Sequence, residues 1–272
     1  MVSVVVRDAV RYVLGVLVAF VIGVLFACSS APRSFAPVEP IPLSQFSYEY
    51  LDEVLRAHVK AGVVNYPAIA QDDRFQFFIW QLDRFNPNEL PSRKHSVAFW
   101  INAYNAFAIK GILDGYAPQS VWGRYRYLIA QHHYVGGRRI SLHELEQDLL
   151  VPDFRDPRLH FAIVPASRSA PKLYSQVYAP DRLDQQLNDS ARAFINDATR
   201  TRFDRRKKVA YLSMIFKWYE KEFIGHSGSL LRYVAQYVDD SALARELTTN
   251  RYDIQFLDYD WSLNGIPDTR HH

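Results

Sequence analysis

The stretch Ser96–Leu113, SVAFWINAYNAFAIKGIL, is almost wholly apolar over about five helical turns. Gly115 stands just beyond its end, where a helix often needs a residue in the left-handed conformation. Its length and its clean end predict a buried helix, and we expect the rest of the chain to be organised around it.

Three polar side chains stand in the middle of this apolar stretch, namely Asn102, Tyr104 and Asn105. The two asparagines are three positions apart and therefore lie on one face of the predicted helix. A buried amide without a partner costs roughly 1–3 kcal/mol. The amides are therefore expected either to clamp other segments of the fold or to line a cleft, and the clamp is the interpretation we favour.

The N-terminus has the pattern of a targeting segment. Arg7 and Arg11 precede the apolar run Tyr12–Ala27, which is short for a transmembrane helix. The run ends in Leu-Phe-Ala followed by Cys28, a pattern that resembles a bacterial lipobox, and Cys28 is the only cysteine in the chain. We predict cleavage before Cys28 and attachment of lipid to it, with an uncleaved N-terminal anchor as the alternative.

These features predict how the chain is divided and where it is located. A lone cysteine suits an oxidising compartment, and Ser29 and Ser30 carry no acidic retention signal. We therefore expect a bacterial cell-envelope protein held by lipid, facing the periplasm from the outer membrane. The expected divisions are a signal peptide at 1–27, a proline-rich tether at 28–42, one domain at 43–266 and a tail at 267–272.

The composition is that of a globular domain with a substantial core. The chain has 272 residues, of which 49% are hydrophobic, and a formal net charge of +3. The one basic run, 200–208, is interpreted as a solvated loop, with anionic lipid headgroups or surface polysaccharide as alternative partners. Nucleic acid is not expected as a partner of an exported protein, and no cofactor is predicted.

Helical spacing dominates the remaining chain, and a few short segments have the pattern of strands. The fold class predicted is therefore α+β, a mainly helical single domain around the buried helix at 96–113. Helices are expected at 46–60, 75–85, 141–150, 181–196 and 213–223, and strands at 159–164, 208–212 and 252–257.

Several motifs, in order along the chain, resemble the domain-of-unknown-function-547 family. They are Gly62–Tyr66 (GVVNY), Ala98–Ala106 (AFWINAYNA), Ser141–Glu146 (SLHELE), Asp156–Ala162 (DPRLHFA), Ile215–Tyr219 (IFKWY) and Tyr259–Asn264 (YDWSLN). The resemblance implies a bacterial, often exported protein. It also implies a cysteine-hydrolase-like activity, since members usually carry a Cys-x-Ser-x-Ser-Cys-Pro type loop after the His-Phe-Ala motif.

This chain departs from the family in that loop. Pro165 and Ala170 stand where the resemblance places cysteines, and Gln147 replaces a usual histidine. A thiolate nucleophile requires a cysteine, so any thiol chemistry of the family is excluded here. If the family's cysteines form a disulfide instead, this chain lacks that crosslink, and both accounts stay open.

The candidate catalytic residues that remain are His160, Ser167 and Ser169, with Glu146 or Asn105 as orienting groups. Arg168 is a candidate for holding a carboxylate, and Asp260 for accepting from the Asn102 or Asn105 amide. No Gly-x-Ser-x-Gly elbow is present. We therefore favour a non-catalytic binding or scaffolding protein, with a Ser/His hydrolase of an envelope amide or ester, or a purely structural protein, as alternatives.

Metal and ligand signals are weaker. His132 and His133 are adjacent, and His143 and Glu146 are three apart, but no His-Glu-x-x-His motif occurs, so no metal site is predicted. The aromatic and basic segment 122–134 is suited to stack on sugar rings or to line a peptide groove. An edge strand or a covering loop is the structural alternative for that segment.

Overall fold

The computed structural model describes residues 39–249 and 251–267. The predicted signal peptide, Cys28 and most of the predicted tether and tail lie outside this part of the chain. Ile41, within the predicted tether, already belongs to the fold: its amide donates to the Arg84 carbonyl over 3.2 Å and its side chain is buried. The unit from Pro40 onward has its own hydrophobic core.

The predicted central helix is confirmed and runs from Arg93 to Leu113. It begins three residues before the apolar stretch because Ser92 caps it, its hydroxyl accepting from the His95 amide. Nearly every side chain between Val97 and Ile112 is buried. The chain leaves the helix through Gly115, whose φ of +84° lies in the left-handed region that glycine adopts without strain.

The predicted fold class is also confirmed, since helices make up most of the described residues. In the helix Leu183–Ile195, the apolar residues at helical spacing are buried, namely Leu183, Leu187, Ala191, Phe194 and Ile195. The α-helices are Glu49–His58, Tyr66–Ile69, Asp73–Arg84, Arg93–Leu113, Val121–Tyr125, Leu142–Glu144, Val151–Phe154, Leu183–Ile195, Met214–Trp218, Glu220–Ser227, Leu230–Ala235 and Ser241–Thr248. Three-ten turns span Leu43–Gln45, Pro87–Glu89 and Pro157–Phe161, and π-helical turns span Arg126–Ala130 and Leu145–Leu150.

Short strands form three small sheets. The strands are β1 (Val59–Lys60), β2 (Val63–Asn65), β3 (His133–Val135), β4 (Arg138–Ile140), β5 (Thr201–Asp204), β6 (Val209–Leu212), β7 (Asp253–Phe256) and β8 (Gly265–Ile266). In the first sheet, β1 pairs antiparallel with β2, and β2 pairs parallel with β8; the second sheet is the hairpin of β3 and β4. In the third sheet, β5 pairs antiparallel with β6, and β6 pairs parallel with β7.

Two apolar clusters make up the core of this unit. The larger one surrounds the central helix, and the smaller one lies among the helix Leu183–Ile195, the third sheet and the C-terminal helices. The turn Pro157–Phe161 joins them, because Leu159 packs in the larger cluster while Phe161 packs in the smaller one.

The strand predicted at 159–164 is wrong, because its first part is the three-ten turn Pro157–Phe161. Asp156 caps this turn, its carboxylate accepting from the Arg158 amide over 3.0 Å, and Pro157 occupies a first-turn position that needs no donor. The apolar side chains of this turn are thus buried alternately in the two apolar clusters.

Two other local expectations also differ from the structure. The basic run 200–208 is not a simple loop, because β5 lies within it and pairs with β6. The segment 122–134 is mostly helical, because the helix Val121–Tyr125 continues into a π-helical turn, and only its last two residues belong to a strand, β3. Within the described ranges, no helix is both long and apolar enough to cross a membrane.

Candidate functional site

A cavity of about 240 Å³ lies where the two apolar clusters meet. Its lining is mainly apolar and aromatic, and it includes one carboxyl group, that of Glu146, and one imidazole, that of His160. The complete lining is Tyr104, Leu128, Glu146, His160, Ile163, Pro165, Pro171, Ile215, Trp218, Tyr219, Tyr259 and Trp261. We call this cavity the aromatic pocket.

Local structure fixes the two acid–base groups of the aromatic pocket. Glu146 follows a capping box in which the Ser141 hydroxyl accepts from the Glu144 amide and the Glu144 carboxylate accepts from the Ser141 amide. The π-helical turn Leu145–Leu150 then aims Glu146 inward. His160 belongs to the turn Pro157–Phe161, which Asp156 caps. Both side chains are therefore held by short helical segments with a capped N-terminus.

The two amides of the central helix act as clamps, as the favoured interpretation predicted. Asn105 donates to the Ala162 carbonyl and accepts from the Val164 amide, both over 2.9 Å. Asn102 makes the same pair of bonds, each 2.9 Å long, with the amide and carbonyl of Tyr178. The expectation that these amides donate to Asp260 is therefore wrong, because backbone carbonyls occupy them.

His160 is held between two carboxylates. Its Nε2 lies 2.7 Å from Glu222 Oε2, and its Nδ1 lies 3.9 Å from Glu146 Oε1, which is too long for a hydrogen bond. Since a carboxylate oxygen accepts, the proton of the neutral imidazole is assigned to Nε2, and Nδ1 is then an acceptor. This buried Nδ1 has no hydrogen-bond partner among the described residues.

Tyr219 completes the polar end of the aromatic pocket. Its ring stacks on the His160 imidazole, with centroids 3.6 Å apart and planes 17° apart, and its hydroxyl donates to Glu146 Oε1. Burial raises the pKa of Tyr219, and the negative charge of Glu146 raises it further. The phenol therefore stays protonated and acts as a donor.

Burial dominates the electrostatics of Glu146. It raises the pKa of this carboxyl above the ordinary value, although the positive form of His160 and the Tyr219 hydrogen bond act in the opposite direction. Oε2 of Glu146 accepts no hydrogen bond from any residue that the structure describes. No lysine or arginine of the described chain lines the aromatic pocket, so the buried acid has no strong cationic partner there.

Three aromatic rings, those of Trp218, Tyr259 and Trp261, form one wall of the aromatic pocket. The Tyr259 ring centroid lies 4.8 Å from that of Trp218 and 4.6 Å from that of Trp261. Arg124 lies over the Trp261 ring at 4.9 Å. Trp218 remains 45% exposed, so the wall extends from the cavity to the protein surface and presents ring faces to an incoming ligand.

The structure does not join the candidate serines to His160 by hydrogen bonds. The Ser167 hydroxyl lies 2.8 Å from the Tyr259 hydroxyl, and the Ser169 hydroxyl accepts from the Asp260 amide over 2.9 Å. The Arg168 side chain is exposed, with Nε 3.9 Å from Asp260 Oδ2. Ser167, Arg168 and Ser169 thus tie the loop to the C-terminal segment, and Ser167 supports one ring of the pocket wall.

The two positions at which the family resemblance places cysteines have different surroundings. Pro165 lines the aromatic pocket together with His160 and Glu146. Ala170 is fully buried, and its carbonyl accepts from Arg200 Nε over 3.0 Å. The first position therefore faces the acid–base pair, whereas the second supports the loop from within.

Sequence reasoning missed most of the pocket wall and the second carboxylate. Glu222 was not singled out, although it lies three positions after Tyr219, and Tyr219 and Trp218 belong to the motif IFKWY. Of the predicted binding residues, Tyr104 and Glu146 line the aromatic pocket, and Asn105 holds the segment that carries Pro165. Across the described residues, no group of three or more His, Cys, Asp or Glu side chains is placed to hold a metal ion.

A protein-family model with the description "Protein of unknown function, DUF547" matches residues 87–195. This segment contains the central helix, Glu146, His160 and the loop with Pro165 and Ala170, and the match confirms the family predicted from the motifs. Neither a curated protein nor a solved structure matches the chain.

Proposed function

We propose that this member of the DUF547 family is a lipid-anchored cell-envelope protein that binds a small ligand in the aromatic pocket without transforming it. One observation carries the proposal: a cavity of about 240 Å³ with an aromatic wall and an acid–base pair has Pro165 in its lining. Pockets that combine apolar walls with a few convergent polar groups are the usual form of ligand sites.

The absence of an available nucleophile at Pro165 favours binding over hydrolysis. Proline carries no thiol or hydroxyl, so it forms no covalent intermediate with a ligand beside His160. The hydroxyls of Ser167 and Ser169 are engaged with Tyr259 and with the Asp260 amide instead. A nucleophile and its base need hydrogen-bond contact, and these bonds hold the loop rather than prepare such a pair.

The envelope location rests on the N-terminal sequence. Leu25, Ala27 and Cys28 are the residues that a lipoprotein signal uses, and the proline-rich segment that follows suits a tether. Several acyl chains on one cysteine give stable attachment to a membrane, whereas a single chain gives only marginal binding.

Replacing the lipid-bearing residue tests this location. In the full chain expressed in a Gram-negative host, Cys28→Ala is expected to move the protein from the membrane pellet to the soluble fraction, while Ser29→Ala leaves it in the pellet. An unchanged pellet fraction for Cys28→Ala would refute the lipid anchor and favour an uncleaved N-terminal segment.

Ligand binding is tested with N-phenyl-1-naphthylamine, a small neutral fluorophore whose emission rises in apolar surroundings. A soluble form that begins at residue 39 is suitable, because the unit from Pro40 onward has its own core. Trp218→Ala is expected to weaken binding of this probe about tenfold, since aromatic anchors carry much of the energy of such sites.

Trp80→Ala is the matched control for that measurement. Trp80 is 40% exposed, close to the 45% of Trp218, but it stacks on Phe77 and does not line the aromatic pocket. Equal losses in the two variants, or no saturable binding by the parent protein, would overturn the proposed pocket.

A further inference from the structure

We infer that the aromatic pocket selects a primary ammonium group joined to a small apolar body. This inference rests on the proposed function, because it names the chemical class of the ligand for the same site. It follows from the charges at the polar end of the pocket, from the unused acceptor atoms there and from the aromatic wall.

The charges at the polar end are unequal. Glu146 and Glu222 flank a single imidazole, so at most one positive charge on His160 faces two carboxylates. No lysine or arginine within the described part of the chain lines the cavity. A buried carboxylate without a paired cation is costly, and a ligand that brings positive charge supplies the missing partner.

Two unused atoms at this end are acceptors, and the Tyr104 hydroxyl, which also lines the cavity, can both donate and accept. The one phenol that reaches the carboxylate, Tyr219, already donates to Glu146 Oε1. Oε2 of Glu146 receives no hydrogen bond from the described residues, and His160 Nδ1, on a ring that is 2% exposed, has no partner among them. An ammonium group offers three N–H donors and no acceptor, so it matches a site whose free atoms accept.

The aromatic wall favours the same chemistry. The rings of Trp218, Tyr259 and Trp261 form a triangle, in which the two tryptophan centroids are 5.9 Å apart and lie 4.8 Å and 4.6 Å from the Tyr259 centroid. Ring faces attract a cation, most strongly when the site excludes water. Arg124 already lies over the Trp261 ring, so the rings of Trp218 and Tyr259 are the ones left to stabilise an ammonium on its way to Glu146.

Apolar residues of the lining determine the size and polarity of the ligand body that fits beside the ammonium. Leu128, Ile163 and Ile215 line the cavity beside Pro165 and Pro171. The volume of about 240 Å³ is just below the range of roughly 300–1,000 Å³ that is typical of pockets for drug-sized molecules. The occupant is therefore expected to be a compact group, such as a single ring or a branched alkyl chain, next to the ammonium.

Three isosteric probes test this inference by displacement of N-phenyl-1-naphthylamine from the soluble form. Phenethylamine carries an ammonium, 2-phenylethanol is its neutral counterpart and 3-phenylpropionate is an anion of similar shape. We expect phenethylamine to displace the fluorophore at a concentration at least tenfold lower than 2-phenylethanol, with 3-phenylpropionate the weakest of the three.

Glu146→Gln assigns that preference to the carboxylate. The glutamine keeps an oxygen that can accept from Tyr219, and we expect phenethylamine and 2-phenylethanol to displace the fluorophore from this variant at equal concentrations. Glu49→Gln is the control, since Glu49 is an exposed glutamate at the start of its helix. The preference is a ratio measured within each variant, so it does not depend on the absolute affinity of the pocket.

The outcomes separate this inference from the proposed function. Equal displacement by phenethylamine and 2-phenylethanol, or a tenfold preference that persists in Glu146→Gln, overturns the ammonium assignment and leaves the pocket as a binding site. If the fluorophore does not bind, or if its binding does not depend on Trp218, the proposed function is overturned as well.

Discussion

Asn105 and Glu146 are both polar side chains buried in the same domain, but their hydrogen bonding differs. Asn105 exchanges two bonds of 2.9 Å with the backbone at Ala162 and Val164. Glu146 accepts one bond, from Tyr219, and its Oε2 accepts none from the described residues. The comparison shows that a buried polar group whose hydrogen bonds are all made with the backbone stabilises the fold. A buried polar group that keeps free acceptor atoms beside a cavity is suited to bind a ligand.

The difference has a physical origin in the partners available. Backbone amides and carbonyls are fixed by the chain, so an asparagine that reaches both is satisfied permanently. A carboxylate beside an imidazole and a tyrosine keeps free lone pairs and an uncompensated charge. The three predictions below test this distinction, from the largest expected effect to the smallest.

Asn105→Ala is expected to have the largest effect. It leaves the Ala162 carbonyl and the Val164 amide without partners, and each unpaired buried group costs about 1–3 kcal/mol. Urea denaturation should show a loss of about 2–5 kcal/mol in the free energy of unfolding. Fluorophore binding should also weaken, because the freed segment leads directly to Pro165.

Asn102→Ala is the matched variant for that experiment. It breaks an equivalent pair of bonds at Tyr178, which does not line the aromatic pocket. We expect a comparable loss of stability with fluorophore binding retained. Stability within about 0.5 kcal/mol of the parent in Asn105→Ala would contradict the clamp.

His133 is a buried polar group with neither a complete set of partners nor a cavity. Its ring stacks on Phe107 at 4.4 Å, and its Nε2 has no partner in the described structure. Burial, reinforced by the positive charge of Lys110, lowers the pKa of His133 to about 3. Between this value and the ordinary value of 6.5, the unfolded state binds the proton more strongly, so stability falls as pH falls.

His133→Phe is expected to remove this acid sensitivity while it preserves the stacking. Relative to the parent, the free energy of unfolding of the variant should rise by up to about 1.4 kcal/mol for each pH unit below pH 6.5. Denaturation curves of both proteins at pH 7, 6, 5 and 4 measure the difference. A constant difference across these pH values would show that folding does not lower the pKa of His133.

Glu146→Gln is expected to have the smallest effect on stability, and in the opposite direction to Asn105→Ala. Burial raises the pKa of Glu146, so the folded state binds the proton more strongly than the unfolded state, and the parent loses stability as pH rises through this range. The variant lacks that loss. Its free energy of unfolding should equal or exceed that of the parent, with a larger gain at pH 7 than at pH 4.

A marked loss of stability in Glu146→Gln would place this residue with the clamps rather than with the pocket. Unchanged or improved stability together with lost ammonium preference would identify a residue kept for binding at the expense of stability. Thermal and urea denaturation of the same preparations used for probe displacement make that comparison direct.

The central helix shows how much of the fold the sequence predicted. Its apolar length, the two asparagines and Gly115 predicted its burial, its clamps and its end, because each depends on a few adjacent residues. The segment 159–164 shows the opposite case. Its apolar run predicted a strand. In the structure, Asp156 caps the segment and alternate side chains pack into two different apolar clusters, which a turn allows.

The candidate site was predicted only in part. Glu146, His160 and Tyr104 were named from the sequence and line one cavity. Ser167 and Ser169 were named with them, but their hydroxyls bind the C-terminal segment instead. Glu222 was not predicted, because its link to His160 joins positions 62 residues apart and leaves no local pattern.

By itself, the sequence indicated the family, the buried helix with its amide pair and the absence of a thiol from the loop 165–171, because these depend on residue identity and short spacings. Only the tertiary structure decided that Glu146, His160 and Glu222 meet beside Trp218, Tyr259 and Trp261. The physical reason is that this meeting depends on how two cores pack across one turn. Such packing is a property of the whole domain and not of any one segment.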